Sequence, residues 1–564
     1  MVGSLVCWPT LVTLSDTVPG STRTDLWNSL WSLWWFQDQI WSGSFPLHLD
    51  LLDFPRASGF FIADPLNALL LTPLIPLLGI PVSYSLLVWG HLIFSGVAAH
   101  LLARRLHGSE VAGAFAGTAY CLAPVLVSGI QSGTSESMAG GWLALSVMAL
   151  LKAVERGGRR PVLFAAGGLV LTCLGGWYAG LCAWIVWGAL LLFGWPGVQR
   201  ARSTRRLLAA GVVAAVVCVP LAASMTRSIE QGQQIGIKSE RELNTVRRTT
   251  GAADPRGWFV PGDWRSPDFR EISRDNEEFV HSHYLGWTLI FGSLMAVLRR
   301  GRRLGALGFA GGVGALLAMG PVVVLDGRSW VFGEQLAMPL PYFLVEDFPG
   351  FSSLSLLFRL GVLPALVLAV AAAGWVGTLP RKRALFFCLL KIIEFRFLSP
   401  VAGLTGAQHA RVGSAIEALK TAPPGAVMNY PIVGGRPYLF EQIHHQKPIA
   451  GRLNFPNNHA SKKIWTVLAE ASELSGDDAR RRIRSIAQKT QTGACEEVRA
   501  ECDYGELRAS GQGDSCRCVT GVRYLVIHQD AYARPDMHQD VVKWASETLP
   551  VLAEDAQTKV IQLW

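Results

Sequence analysis

Charge is scarce in these 564 residues: 16% are Asp, Glu, Lys or Arg, against 50% hydrophobic. Soluble domains carry about 25% charged residues, so the composition excludes an ordinary soluble protein. The mean hydropathy of +0.30 points the same way. The sequence has no glycine-rich phosphate loop, zinc-finger spacing or nucleic-acid motif. The formal charge of +9 therefore does not mark a nucleic-acid partner, because the basic residues sit in short clusters between apolar runs. The first apolar run, 1–14, lacks a basic n-region and a small-residue cleavage site, which argues against a signal peptide. Because it is short and starts at the initiator Met, we expect the true start to lie upstream of Met1.

What the chain does have is apolar length. A membrane helix needs roughly 17–25 apolar residues. Runs of about this kind fall at 1–14, 82–103, 109–130, 138–153, 161–178, 180–197, 207–225, 284–298, 304–325, 359–378 and 384–395. The expected class is a polytopic α-helical membrane protein with about eleven transmembrane helices. The stretch 62–81 is apolar too, but Pro65, Pro73, Pro76 and Pro81 interrupt helical hydrogen bonding. It reads as a loop or re-entrant segment packed on protein, with a full span as the minority reading.

The charges give an independent test. Alternate connections carry Arg104 and Arg105; Lys152, Arg156, Arg159 and Arg160; Arg200, Arg202, Arg205 and Arg206; Arg299, Arg300, Arg302 and Arg303; and Arg381, Lys382 and Arg383. Lys and Arg accumulate on the cytoplasmic side. Loops 15–81, 129–137, 226–283 and 326–358 then face outward, as does the tail. The last run contains Lys391 and Glu394, spaced to pair on one helical face. If that run does not cross, the tail is cytoplasmic.

Two domains follow: a transmembrane domain over 1–396 and a small extracytoplasmic α/β domain over 397–564. In the tail, 415–420 and 541–552 pattern as helices, and 426–433 and 522–528 as strands. Six of the ten cysteines lie in apolar runs, where Cys behaves as a small hydrophobe. The other four, Cys495, Cys502, Cys516 and Cys518, cluster in the tail. Two disulfides in an oxidising compartment fit them better than a four-thiolate zinc site, whose two-residue spacers are absent.

Residues 25–41 read as an amphipathic, Trp-rich helix lying in the outer interface, with Trp27 a candidate substrate contact. Arg265, Arg270 and Arg274 on the long outer loop, and Arg359 at the mouth of a span, are candidate phosphate ligands through paired hydrogen bonds. Snorkelling or neutralisation by acidic neighbours explains them equally simply. Asp64, before Pro65, is a cap or turn residue or a site residue. Asp50 and Asp53 read as solvated, and His281 and His283 as interfacial. The ambiguous His444 and His445 lie in the tail.

Along most of its length the chain resembles the GT-C superfamily of polytopic glycosyltransferases, and more closely a set of bacterial membrane proteins assigned to it without defined substrates. The resemblance is carried by TDLWNSLWSLWW, SGSFPLHLDLLDFPRASGFFIADPLNALLLTPL, SGVAAHLLARRLHGSEVAGAFAGTAYCLAP, LPYFLVEDFPGFSSLSLLFRLGVLPALVLAV, GAVMNYPIVGGRPYLFEQIHHQKPIAG and GVRYLVIHQDAY. It implies a glycosyltransferase at the outer face of the bacterial inner membrane. Such an enzyme takes a sugar from a polyprenyl-phosphate-linked donor and passes it to an envelope glycan, lipid or protein. It places a catalytic acid in the first outer loop, at Asp25 by position, with Asp16 the nearer alternative, and a second acid at Glu136. Asp25 is a base, a metal ligand or simply an N-cap. The superfamily's paired acidic motif is reduced to Glu136 alone. That departure weakens the case for metal, leaving a divalent cation the one cofactor considered, and it favours a rival class: a non-enzymatic envelope protein whose tail binds a partner. A transporter ranks last, because the span interiors are nearly free of charge.

Overall fold

In the computed structural model, the described residues are 6, 8, 12–22, 24–44, 48–49, 51–52, 54, 58–59, 64–233, 251–264, 280–300, 305–325, 328–329, 331–332, 336–348, 351, 354–401, 407–430, 437–450, 522–529 and 538–563, with short pieces between 465 and 483. The chain divides into two compact units: 1–42 with 61–410, and 43–60 with 411–564. The second unit therefore takes an insert from the first predicted outer loop as well as the tail.

The first unit is a helical bundle. In chain order it contains α1 (Leu26–Trp41), α2 (Pro65–Leu71), α3 (Ile80–His107), α4 (Glu110–Cys121), α5 (Pro124–Gln131), α6 (Gly140–Glu155), α7 (Arg159–Gly175), α8 (Trp177–Phe193), α9 (Arg200–Gln233), α10 (Trp287–Arg300), α11 (Gly305–Ala318), α12 (Val362–Val376) and α13 (Arg381–Leu398). Every predicted span from 82 onward falls on these helices, while 1–14 lies mostly outside the described residues. The protein is a multi-pass membrane protein. By length and composition, helices over Ile80–His107, Glu110–Gln131, Arg200–Ser224 and Leu357–Val376 are able to cross a membrane, and shorter apolar helices accompany them.

Local chemistry sets the helix ends. α3 stops at Gly108 in the left-handed conformation, with Arg104, Arg105 and His107 answering the dipole in its last turn. Ser109 then caps α4 through Ala112 N–H. The run 62–81 breaks into short helices, each with Pro in its first turn, where the missing N–H costs nothing. Leu66, Ala68, Leu71 and Ile75 from this run are buried.

The core of the bundle holds Phe115, Leu143, Leu150, Leu169, Val186 and Leu363. Leu208, Val212, Val216 and Val219 on α9, and Leu385, Phe386, Leu389 and Phe397 on α13, are exposed apolar side chains suited to lipid. α13 also carries a charged pair that it buries. Lys391 and Glu394 are both buried, and Lys391 Nζ donates to Glu394 Oε2 at 3.0 Å. Tyr284 Oη and Thr288 N–H also donate to Glu394 Oε1, tying α13 to α10.

The Trp-rich helix departs from expectation. Leu26, Trp27 and everything from Ser29 to Phe36 are buried in the unit, and Trp31 stacks on Trp35 at 6.0 Å. Only its end, at Trp41, is well exposed. Small Ser29 and Ser32 let the supposed polar face pack closely, so α1 is an internal element rather than a surface raft.

The second unit has a four-stranded sheet made of β1 (Ala426–Tyr430), β2 (Val522–His528), β3 (Val551–Glu554) and β4 (Thr558–Gln562), in the order β3–β4–β2–β1. β1 and β2 are parallel, with Val526 opposite Asn429, and the other pairings are antiparallel. Helices Ser414–Thr421 and Gln539–Thr548 match two predicted tail helices. The second ends earlier than expected because Pro550 follows, and 551–554 becomes an edge strand. The insert joins this unit through backbone: Ile449 N–H donates to Leu51 O, Phe54 N–H to Ile449 O, and Gln442 Nε2 to Leu51 O. Cys495, Cys502, Cys516 and Cys518 lie outside the described residues, as do Asp50 and Asp53.

Removing one member of a buried ion pair leaves the other uncompensated, at a cost of about 3–5 kcal/mol. Lys391→Met is expected to lower the thermal unfolding temperature in detergent. Lys391→Met combined with Glu394→Met should recover most of the loss. Equal melting of wild type and the single variant would exclude this lock.

Candidate active site

Two short 3-10 turns build the site. The first, Ser135–Met138, carries Glu136. Its loop is tightened by Thr134, whose hydroxyl reaches Gly129 O at 2.9 Å and Ser137 Oγ at 3.0 Å. The second, Leu357–Gly361, leads into α12 and carries Arg359. Arg359 Nη1 is ion-paired with Glu136 Oε1. The arginine side chain is 7% exposed and the glutamate 25%.

Tyr178, near the start of α8, underlies the pair. The Arg359 guanidinium sits 5.5 Å from the centre of its ring. Its hydroxyl oxygen accepts from Ser355 N–H at 3.1 Å and Leu356 N–H at 2.9 Å, so one side chain fixes both the arginine and the backbone leading to it. A small, partly open cleft lies beside them, walled by Val125, Leu126, Tyr178, Ala179 and Val362. Arg359 Nε is buried and has no hydrogen-bond partner among the described residues. The cleft thus combines apolar walls with a buried cation.

Asp64 sits behind the Glu136 loop, outside the spans, rather than in the cleft lining. It is buried, and its Oδ2 accepts from Asn67 Nδ2 at 2.9 Å. The same amide donates to Ser135 O at 3.0 Å. Asn67 Oδ1 is 2.7 Å from His91 Nε2, which requires that nitrogen to carry the proton. Burial pushes the Asp64 carboxyl up to about 7; hydrogen bonds from Ser135 and Asn67 oppose the rise, and neighbouring Glu136 adds to it. Asp64 therefore holds the Glu136 loop in place through Asn67.

Asp25 occupies the position before α1, half-buried, and its side chain makes no cap hydrogen bond. The cap role open to it is thus not realised. The start of α1 packs on the Glu136 loop: a Cβ on Gly133, whose φ is +66°, would lie 2.7 Å from Leu26 Cα. On the far side of that loop, a Cβ on Gly176 would fall on the carbonyl oxygen of Glu136. Trp27 is buried. Arg265, Arg270 and Arg274 lie outside the described residues. His283 is buried rather than interfacial. Its Nε2 is 2.8 Å from Asp254 O, and burial pushes it down to about 4. Among the described residues no group of three or more His, Cys, Asp or Glu converges on a metal site.

No family model matches the chain, and no curated protein matches it. Solved structures do. The arabinofuranosyltransferase AftD from Mycobacteria aligns with all of this chain and 40% of its own, at 14% identity and a TM-score of 0.53. An Archaeoglobus fulgidus oligosaccharyltransferase tethered to an acceptor peptide aligns with 93% of this chain and 68% of its own, at 12% identity and a TM-score of 0.50. The fold is GT-C-like. Within this GT-C-like bundle, Glu136 and Arg359 are the sequence candidates brought into direct contact, with Asp64 just behind. Asn67, His91 and Tyr178 escaped the sequence reading. The signal for His91 was available: an ionisable residue inside an apolar span is a site candidate by default.

Two outcomes follow. Gly176→Ala is expected to displace the Glu136 loop and cost about 1–3 kcal/mol, as overpacking does, readable as a lowered thermal midpoint. The Asp64 carboxyl has a raised folded value, so its contribution to stability is complete below the unfolded value of 3.8 and is lost as pH rises through about 7. Asp64→Asn should flatten the fall in melting temperature between those limits. A wild-type-like slope in that variant would show that another group is responsible.

Proposed function

We propose that this protein is a glycosyltransferase at the outer face of a bacterial inner membrane. It moves a sugar from a polyprenyl-phosphate-linked donor to an envelope glycan, lipid or protein. In this reading the chain crosses about eleven times and its tail unit is extracytoplasmic, as the alternation of basic connections requires. The observation that carries the proposal is Arg359: a buried guanidinium that lines an apolar-walled cleft, in a bundle whose fold relatives include an arabinofuranosyltransferase and an oligosaccharyltransferase. Arginine binds phosphate oxygens through parallel charge-assisted hydrogen bonds, and the apolar walls suit the lipid beside that phosphate.

The reaction is a single displacement. The acceptor oxygen bonds to the anomeric carbon, the bond from that carbon to the phosphate oxygen breaks, and Arg359 stabilises the charge left on phosphate. The acceptor's proton passes to a carboxylate. Asp25 is assigned that role, since the helix start that follows it adjoins the Glu136 loop. One observation favours the rival non-enzymatic role: Glu136 is committed to Arg359 and has no acidic neighbour in sequence.

Asp25→Asn and Arg359→Gln, accumulated to wild-type levels in membranes, are expected to abolish formation of the dependent envelope glycan. Loss of a general base or an oxyanion-stabilising donor typically costs about 100-fold or more in rate. Glycan at wild-type levels in both variants would sink the enzymatic reading and leave the rival.

A further inference from the structure

Glu136 already gives Arg359 what a donor phosphate would give it. A guanidinium withdrawn into an apolar cleft needs a negative partner, and the glutamate supplies one through Nη1. The two partners are not equally free to leave. Arg359 is 7% exposed and rests on the Tyr178 ring, whereas Glu136 is 25% exposed. The carboxylate is therefore the group that yields to an incoming anion, while the arginine stays in place.

We infer that Glu136 competes for Arg359 and sets the site's selectivity between the donor and the lipid phosphate released after transfer. This rests on the reading that Arg359 holds the donor phosphate. A sugar-linked polyprenyl phosphate is a diester with one negative charge. Breaking the bond from phosphate oxygen to the sugar leaves a monoester, whose charge at pH 7 is about −1.5 to −2. An unopposed arginine would hold that product more tightly than the substrate it came from. Displaced but still beside the site, the Glu136 carboxylate repels the more highly charged monoester more strongly than the diester, and its return to Arg359 lets the product leave without stranding a buried cation. It is a specificity-determining residue, distinct from the proton acceptor.

The test uses the full chain in detergent with two probes: undecaprenyl phosphate as the monoester and dioleoyl phosphatidylglycerol as a singly charged diester. Binding is measured for wild type, Glu136→Gln and Arg359→Gln. Glu136→Gln should tighten undecaprenyl phosphate binding about tenfold, the scale of one charge-assisted interaction, and the diester by less. Arg359→Gln should lose both. If Arg359→Gln abolishes binding but Glu136→Gln binds as wild type or more weakly, the phosphate site stands and the competition falls. If wild type does not bind undecaprenyl phosphate, or binds it as well without Arg359, the phosphate reading itself falls and takes the inference with it. Should Glu136→Gln fail to fold, carbodiimide labelling of wild type decides. Undecaprenyl phosphate should raise modification of Glu136 as Arg359 releases it, and unchanged labelling overturns the proposal.

Discussion

A charged side chain taken out of water into an apolar bundle must be answered by an opposite charge or by a proton, and the architecture here follows from how three such debts are met. Arg359 is answered by Glu136. Lys391 is answered by Glu394, with Tyr284 and Thr288 completing the acceptor's bonds. Asp64 is answered by a proton near neutrality and by Asn67. Each answer ties together elements far apart in sequence. The first joins the turn before α12 to the turn before α6, the second docks α13 on α10, and the third pins the turn after α5 to the start of α2.

The same constraint explains why the site is rigid where it is. Tyr178 cannot move without releasing two backbone N–H groups. Gly176 lets the α7–α8 junction close on the carbonyl of Glu136. The glutamate stands between a fixed cation and a buried acid, with one side open to the cleft. The wall around this pair is mostly apolar, so the arginine and the glutamate are the charged groups that line the cleft.

Much of the bundle was legible in the sequence because hydropathy and charge are local properties. The runs from 82 onward fell on helices, and prolines at 65, 76 and 81 marked helix starts in the segment 62–81. Arg359 was named from its place at the mouth of an apolar run, and Glu136 from the family resemblance. Their pairing was not, since 223 residues separate them and nothing local encodes the contact. Trp27, Trp31 and Trp35 were misplaced for the same reason: whether a Trp-rich helix lies on a membrane or inside a protein depends on what packs over it. Asn67 and Tyr178 act through neighbours brought in by the fold, so residue type alone could not single them out.

The insert of residues 43–60 in the tail unit has a consequence for synthesis. Leu51 leaves the ribosome hundreds of residues before its partner Gln442, which follows it by 391 positions. Most of the bundle is made in the interval. The backbone of that insert must wait, with its donors and acceptors met by water or by temporary partners, until the last part of the chain arrives. Long-range closures of this kind are slow steps in assembly. The tail unit thus closes only after the bundle segment between its two parts has been made, and its closure requires residues 43–60 and the segment from 411 to reach the same compartment.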